Sequence, residues 1–116
     1  MATLKPTPKA QSGSEPAPAV PLDLPPATVD LADALLALRT RDEMLRFLRD
    51  LCTLQELEAL GHRWQIVALL EQRMPYVEIA ERVGASTTTV TRVAQWLRHG
   101  AGGYRTAIDR LKRKRR

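Results

Sequence analysis

Cysteine and histidine are almost absent from this chain. Cys52 stands alone, and His62 and His99 lie far apart without cysteine partners. One thiol excludes an intrachain disulfide framework, and two isolated imidazoles exclude a zinc spacing, so no cofactor or metal is expected. Cys52 reads as a small core residue rather than a nucleophile. Long apolar runs are also missing. The amino-terminal stretch carries Lys5 and Lys9, but prolines interrupt each apolar segment. Neither a signal peptide nor a membrane span is therefore expected, and the protein reads as cytoplasmic and nucleoid-associated, with no membrane partner. No alternating segment flanked by hairpin turns occurs, so strands have no candidate. Acids, finally, are scarce at the carboxyl end: from Arg98 to Arg116 eight basic residues face the single Asp109, in a chain of net charge +5.

What is present is helical punctuation. The stretch from Tyr76 to Leu97 reads as two short helices broken at Gly84, a residue able to take the positive φ that a sharp helix exit requires. Ile79 and Val83 form the inner face of the first, and Ala80 is small enough for the second to cross closely over it. Val90 and Val93 anchor that second helix to the same core. Ser86, Thr87, Thr88, Thr91, Arg92 and Gln95 are left facing outward, all able to hydrogen-bond phosphates or base edges. This is the pattern of a helix-turn-helix, with double-stranded DNA as the expected partner. β-Branched threonines are mediocre helix formers, and a purely structural exposed helix would favour Glu, Lys or Ala in their place.

Residues 1–27, which hold seven of the eight prolines, are expected as a disordered arm. An all-α domain of about six helices should follow over residues 28–111, and a basic tail over residues 112–116. Thr28 or Asp30 opens a first helix with Leu31, Leu35 and Leu38 on one face. Thr40 with Glu43 reads as a capping box for a second, carrying Met44, Leu45, Leu48 and Leu51. Thr53 with Glu56 repeats the device for a third, which carries Leu57, Leu60, Trp64, Val67 and Leu70 to about Gln72. Pro75 suits the first turn of the fourth helix, Ser86 caps the fifth, and Gly100 to Gly103 precedes a last helix near Tyr104 to Lys112.

A domain of roughly ninety residues buries only about two thirds of the surface its unfolded chain exposes. Two leucine-faced helices at its edge are most simply covered by a second copy, so a homodimer is expected. Such a pair would place two recognition helices about one turn of DNA apart. The terminal Lys112–Arg116 run suits nonspecific phosphate contact, or alternatively a solvated, solubilising end.

Two strings, Thr53-Leu-Gln-Glu-Leu-Glu-Ala-Leu-Gly-His-Arg63 and Gly84-Ala-Ser-Thr-Thr-Thr-Val-Thr-Arg92, resemble the Trp repressor superfamily, and within it the YerC/YecD group. The resemblance covers about Leu31 to Leu111. It implies an intertwined helical homodimer that presents a helix-turn-helix at each end. It also implies DNA contacts at Thr87, Thr88, Thr89 and Thr91, with Arg98 on the backbone, and it matches Thr53, Arg63 and Arg92 to the corepressor pocket. Arg92 is thus assigned to DNA by the general pattern and to a ligand by the family. Where the repressor has a glycine and a small serine, this chain has Val93 and Trp96, side chains expected to fill that pocket. Arg63 and Arg92 would then pair with carboxylates or contact phosphate. A tryptophan response is not expected, and any other small-molecule effector stays open.

The function expected from these readings is a sequence-specific, dimeric transcriptional regulator, a repressor, without catalytic residues. Glu56 and Glu58 suit a helix amino terminus through cap and dipole, and neither histidine has a spacing-defined partner. The alternative is a nonspecific nucleoid or protein-interaction factor that works through its basic end.

Overall fold

A computed structural model describes residues 22–115. Six helices follow one another: α1 (Ala27–Ala37), α2 (Arg41–Leu51), α3 (Leu54–Glu71), α4 (Tyr76–Val83), α5 (Thr87–His99) and α6 (Gly103–Arg115), with no strand among the described residues. The expected all-α architecture is present. Most of the expected proline-rich arm lies outside the described residues.

Capping chemistry accounts for most of the breaks. At α3 the box is complete: Thr53 Oγ1 accepts from the Glu56 N–H at 3.0 Å, and Glu56 Oε1 accepts from the Thr53 N–H at 2.8 Å. At α2 only half of it forms. Thr40 Oγ1 accepts from the Glu43 N–H at 3.0 Å, but the Glu43 carboxylate reaches one residue further back, to the Arg39 N–H at 2.7 Å. α1 departs more. Neither Thr28 nor Asp30 caps it; the helix begins at Ala27 after Pro26, and no side chain bonds to its first turn. Pro75 stands one residue outside α4, at the N-cap, where its missing N–H costs nothing.

The two helix exits around α4 use left-handed backbone. Gly84, at φ +82°, ends α4 as its sequence context requires. Arg73, at φ +64°, ends α3: its N–H donates to the Leu70 carbonyl at 2.9 Å, and the Met74 N–H donates to that of Leu69 at 3.2 Å. This is a Schellman-type exit with arginine at the position glycine prefers, at a cost of about 1 kcal/mol.

The core sits entirely in the second half of the domain. Ile66 and Val67 of α3, Ile79 and Ala80 of α4, Val90 and Val93 of α5 and Ile108 of α6 form one cluster, with Trp64, Leu70, Val83, Leu97 and Tyr104 packed around it. The inner-face assignment made for α4 and α5 is therefore correct. α1 and α2, by contrast, contain no buried residue. Leu36, Leu45 and Leu54 are 82%, 58% and 65% exposed. Cys52 is half-buried rather than a core residue, because α2 has too little packed over it.

α6 runs to Arg115, so Lys112–Arg115 are the last turn of a helix rather than a tail beyond it. The physical reason is a clamp onto α3. Arg105 donates two bonds of 3.1 Å to the Glu71 carboxylate, and Lys112 Nζ donates a third at 2.8 Å. The Arg105 guanidinium, and then the Lys112 ammonium, hold the Glu71 carboxyl at about 2, against an ordinary 4.5. Next to Arg105 in sequence, the Tyr104 ring lies 6.3 Å from that of Trp64.

Candidate nucleic-acid interface

Ser86 opens α5 from an extended conformation, and its Oγ accepts from the Thr89 N–H at 3.1 Å. The Ser86 and Thr89 hydroxyls also pair with each other at 3.1 Å. Both residues are thus engaged in the cap, and Thr89 is half-buried. Thr87, Thr88, Thr91 and Gln95 are exposed, and none has a side-chain hydrogen bond among the described residues. The inward stripe of α5 is Val90, Val93, Ala94 and Leu97, as 3.6 residues per turn requires. Thr88 and Gln95 lie opposite that stripe, with Thr91 beside them. Three hydroxyl-bearing side chains and one amide, on an exposed helix start, form a surface able to donate to and accept from base edges or phosphates.

Arg92 occupies the other flank. It lines an open cavity of about 660 Å³ together with Arg63, Val93, Trp96 and Tyr104. Arg63 and Arg92 therefore do come together, and neither forms an ion pair with a described carboxylate. Thr53 does not join them. It caps α3 and lines a separate groove at the α2–α3 corner.

Trp96 corrects an expectation. Its indole does not fill the cavity but stands at its wall, 62% exposed. Trp96 sits at the edge of the inward stripe rather than within it, and its ring lies across Gly100. A Cβ at Gly100 would come within 2.5 Å of the Trp96 carbonyl oxygen and 3.0 Å of the indole Cε3. Val93 is buried as expected, yet the space beside it stays open.

Arg98, near the end of α5, donates from Nη2 to the Tyr76 hydroxyl at 2.9 Å. This bond joins the start of α4 to the end of α5. Neither Tyr76 nor Tyr104 was singled out by spacing or motif, and the 22 residues between Tyr76 and Arg98 leave no local signal for their pairing. The glycines around residues 100–103 were the only hint that a cavity could open beside Tyr104.

Among the described residues no helix is long and apolar enough to cross a membrane, and no group of three or more His, Cys, Asp or Glu side chains gathers as metal ligands.

Six helices, a Gly-terminated α4 and a hydroxyl-faced α5 define a helix-turn-helix protein. The family model for Trp repressor protein matches residues 28–112. The chain belongs to the Trp repressor family, a family of helix-turn-helix DNA-binding regulators rather than enzymes. It is 37% identical over 82 residues to the uncharacterized protein YerC of Bacillus subtilis, covering 71% of this chain and 79% of that one. The crystal structure of a TrpR-like protein from Eubacterium eligens superposes with a TM-score of 0.72 at 36% identity, over 76% of this chain and 91% of the other. That of a candidate Trp repressor from Staphylococcus aureus gives 0.71 at 36% identity, over 77% and 89%.

Proposed function

We propose that the protein is a sequence-specific transcriptional repressor that binds double-stranded DNA as a homodimer in the cytoplasm, through α4 and α5. The observation that carries this reading is the start of α5. Thr87, Thr88 and Thr91 stand exposed with unengaged hydroxyls on a helix whose opposite side is locked into the core. Thr88 and Thr91 read bases, and Gln95 lies along the same face. Ser86 and Thr89 chiefly hold the helix start in place. Arg98 contacts backbone phosphate.

Dimerisation supplies the second half of the reading. The uncovered leucines of α1, α2 and the first half of α3 are buried against the same surface of a second copy, which presents two recognition helices to a two-fold site.

Tryptophan is not the trigger, because Val93 places a branched side chain where the family's ligand requires a glycine. Arg63, Arg92 and Trp96 nevertheless surround an open cavity, which favours a different small anionic effector over a closed, unresponsive protein.

Competition binding tests the main reading. A two-fold site recovered by selection should resist excess random duplex. Thr88→Ala with Thr91→Ala should weaken that site by about 1–3 kcal/mol while leaving random DNA nearly unaffected. If random DNA displaces the selected site as readily as the site itself does, the protein is the nonspecific factor that its basic α6 alone would make.

A further inference from the structure

The ends of α4 and α5 that meet at Gly84–Ser86 are fixed by the chain itself. Their far ends have no such constraint. α5 is about 20 Å long, so a small change in its angle to α4 moves its outer end by ångströms. The bond from Arg98 Nη2 to the Tyr76 hydroxyl spans that open end. It is the only side-chain hydrogen bond between α4 and α5 among the described residues.

The chemistry of the partner matters as much as its position. Arg46, Arg82 and Arg105 each face a carboxylate, which neutralises them. Arg98 faces a phenol instead, and no carboxylate among the described residues. A neutral acceptor orients the guanidinium while leaving its charge and its remaining N–H donors for another ligand. The phenol itself is well placed to orient, because the Tyr76 ring packs against the core.

Arg98 has one unpaired cationic neighbour among the described residues. Tyr76 and Arg98 line an open cavity of about 970 Å³ that also takes in Arg73 and the Glu71–Arg105 pair. Arg73, whose backbone is left-handed, stands at this rim.

We infer that Tyr76 is a positioning residue for DNA binding, its hydroxyl aiming the Arg98 guanidinium at a backbone phosphate beside the recognition helix. This rests on the DNA-binding reading above. Tyr76 touches no DNA in this role; it acts through Arg98.

The test uses the full chain and a mixed-sequence duplex of about 30 base pairs, with affinity measured by fluorescence anisotropy over a range of salt concentrations. Arg98→Ala should weaken binding about 5–10-fold and lower the slope of log K against log salt by about one per chain. Tyr76→Phe, which keeps the ring and removes only the hydroxyl, should weaken binding about threefold and lower the slope in the same direction. The double variant should bind no more weakly than Arg98→Ala. An unchanged slope in Tyr76→Phe would overturn the inference even if affinity or thermal midpoint fell, since a merely structural tyrosine would act that way. Multiplying losses in the double variant would overturn it too. A parent chain with no salt-dependent binding would instead remove the DNA-binding reading, and the inference with it.

Discussion

The second half of the domain, from Trp64 onward, closes a core by itself, whereas the first half does not. In the second half Ile66, Val67, Ile79 and Val90 are fully buried, and α6 is clamped to α3 through Glu71. In the first half, two complete helices and the start of a third leave every side chain half-buried at most, although they are rich in leucine. Local chemistry is not what separates them. Both halves have well-formed caps, at Thr40 and Thr53 on one side and at Ser86 on the other. The difference is tertiary. Helices draw most of their stability from packing an apolar face, and among the described residues the faces of α1 and α2 are half-buried at most. In the function proposed above, the self-sufficient half would carry the DNA-reading surface, and the incomplete half the surface that pairs two such readers.

Substitutions should separate the halves by the kind of effect they have. Ile66→Ala, in the closed core, should cost about 3 kcal/mol and lower the thermal midpoint by roughly 12–24 °C. A loss below about 1 kcal/mol in calorimetry would mean that the core is not where the structure places it. Leu36→Glu with Leu45→Glu, on the open half, should convert a dimer to a monomer in sedimentation. It should also weaken a two-fold DNA site by about 100-fold, because one reader then acts alone. A dimer that survives both charges would break the comparison.

The smallest effect belongs to the α6 clamp. The Glu71 carboxyl is lowered from 4.5 to about 2 in the folded chain, so its contribution is fully present above pH 4.5 and is lost as pH falls through about 2. Its side chain is 24% exposed, so after screening this amounts to something on the order of 1 kcal/mol. Glu71→Gln should remove that much stability at pH 7 and flatten the stability profile between pH 4.5 and pH 2; an unchanged profile would show that α6 is held by Ile108 and Tyr104 alone.

Much of this division is readable from residue order because it is local. A Thr with a Glu three residues on, a Gly after an apolar stripe, and Ser86 before a helix all act within one turn, and each marks an element boundary in the structure. The same locality explains the errors. Val93 and Trp96 replace the family's glycine and serine and were expected to fill the pocket, but Trp96 lies past the edge of the inward stripe and is carried over Gly100 instead. The Lys112–Arg115 run reads as a tail because its anchor, Glu71, is 41 residues from Lys112. Of the site, the threonine face was legible from helical period. The placing of Arg92 beside Arg63 was implied by family likeness, while the Tyr76–Arg98 bond was in neither.

The central claim is that two copies join through the open half and present two readers to one DNA. In vitro selection of random duplex DNA by the purified full chain tests it most directly. The account predicts enrichment of a two-fold symmetric site whose half-site centres lie about one helical turn, ~34 Å, apart. Enrichment of a single unrepeated half-site, or of no motif at all, would contradict it.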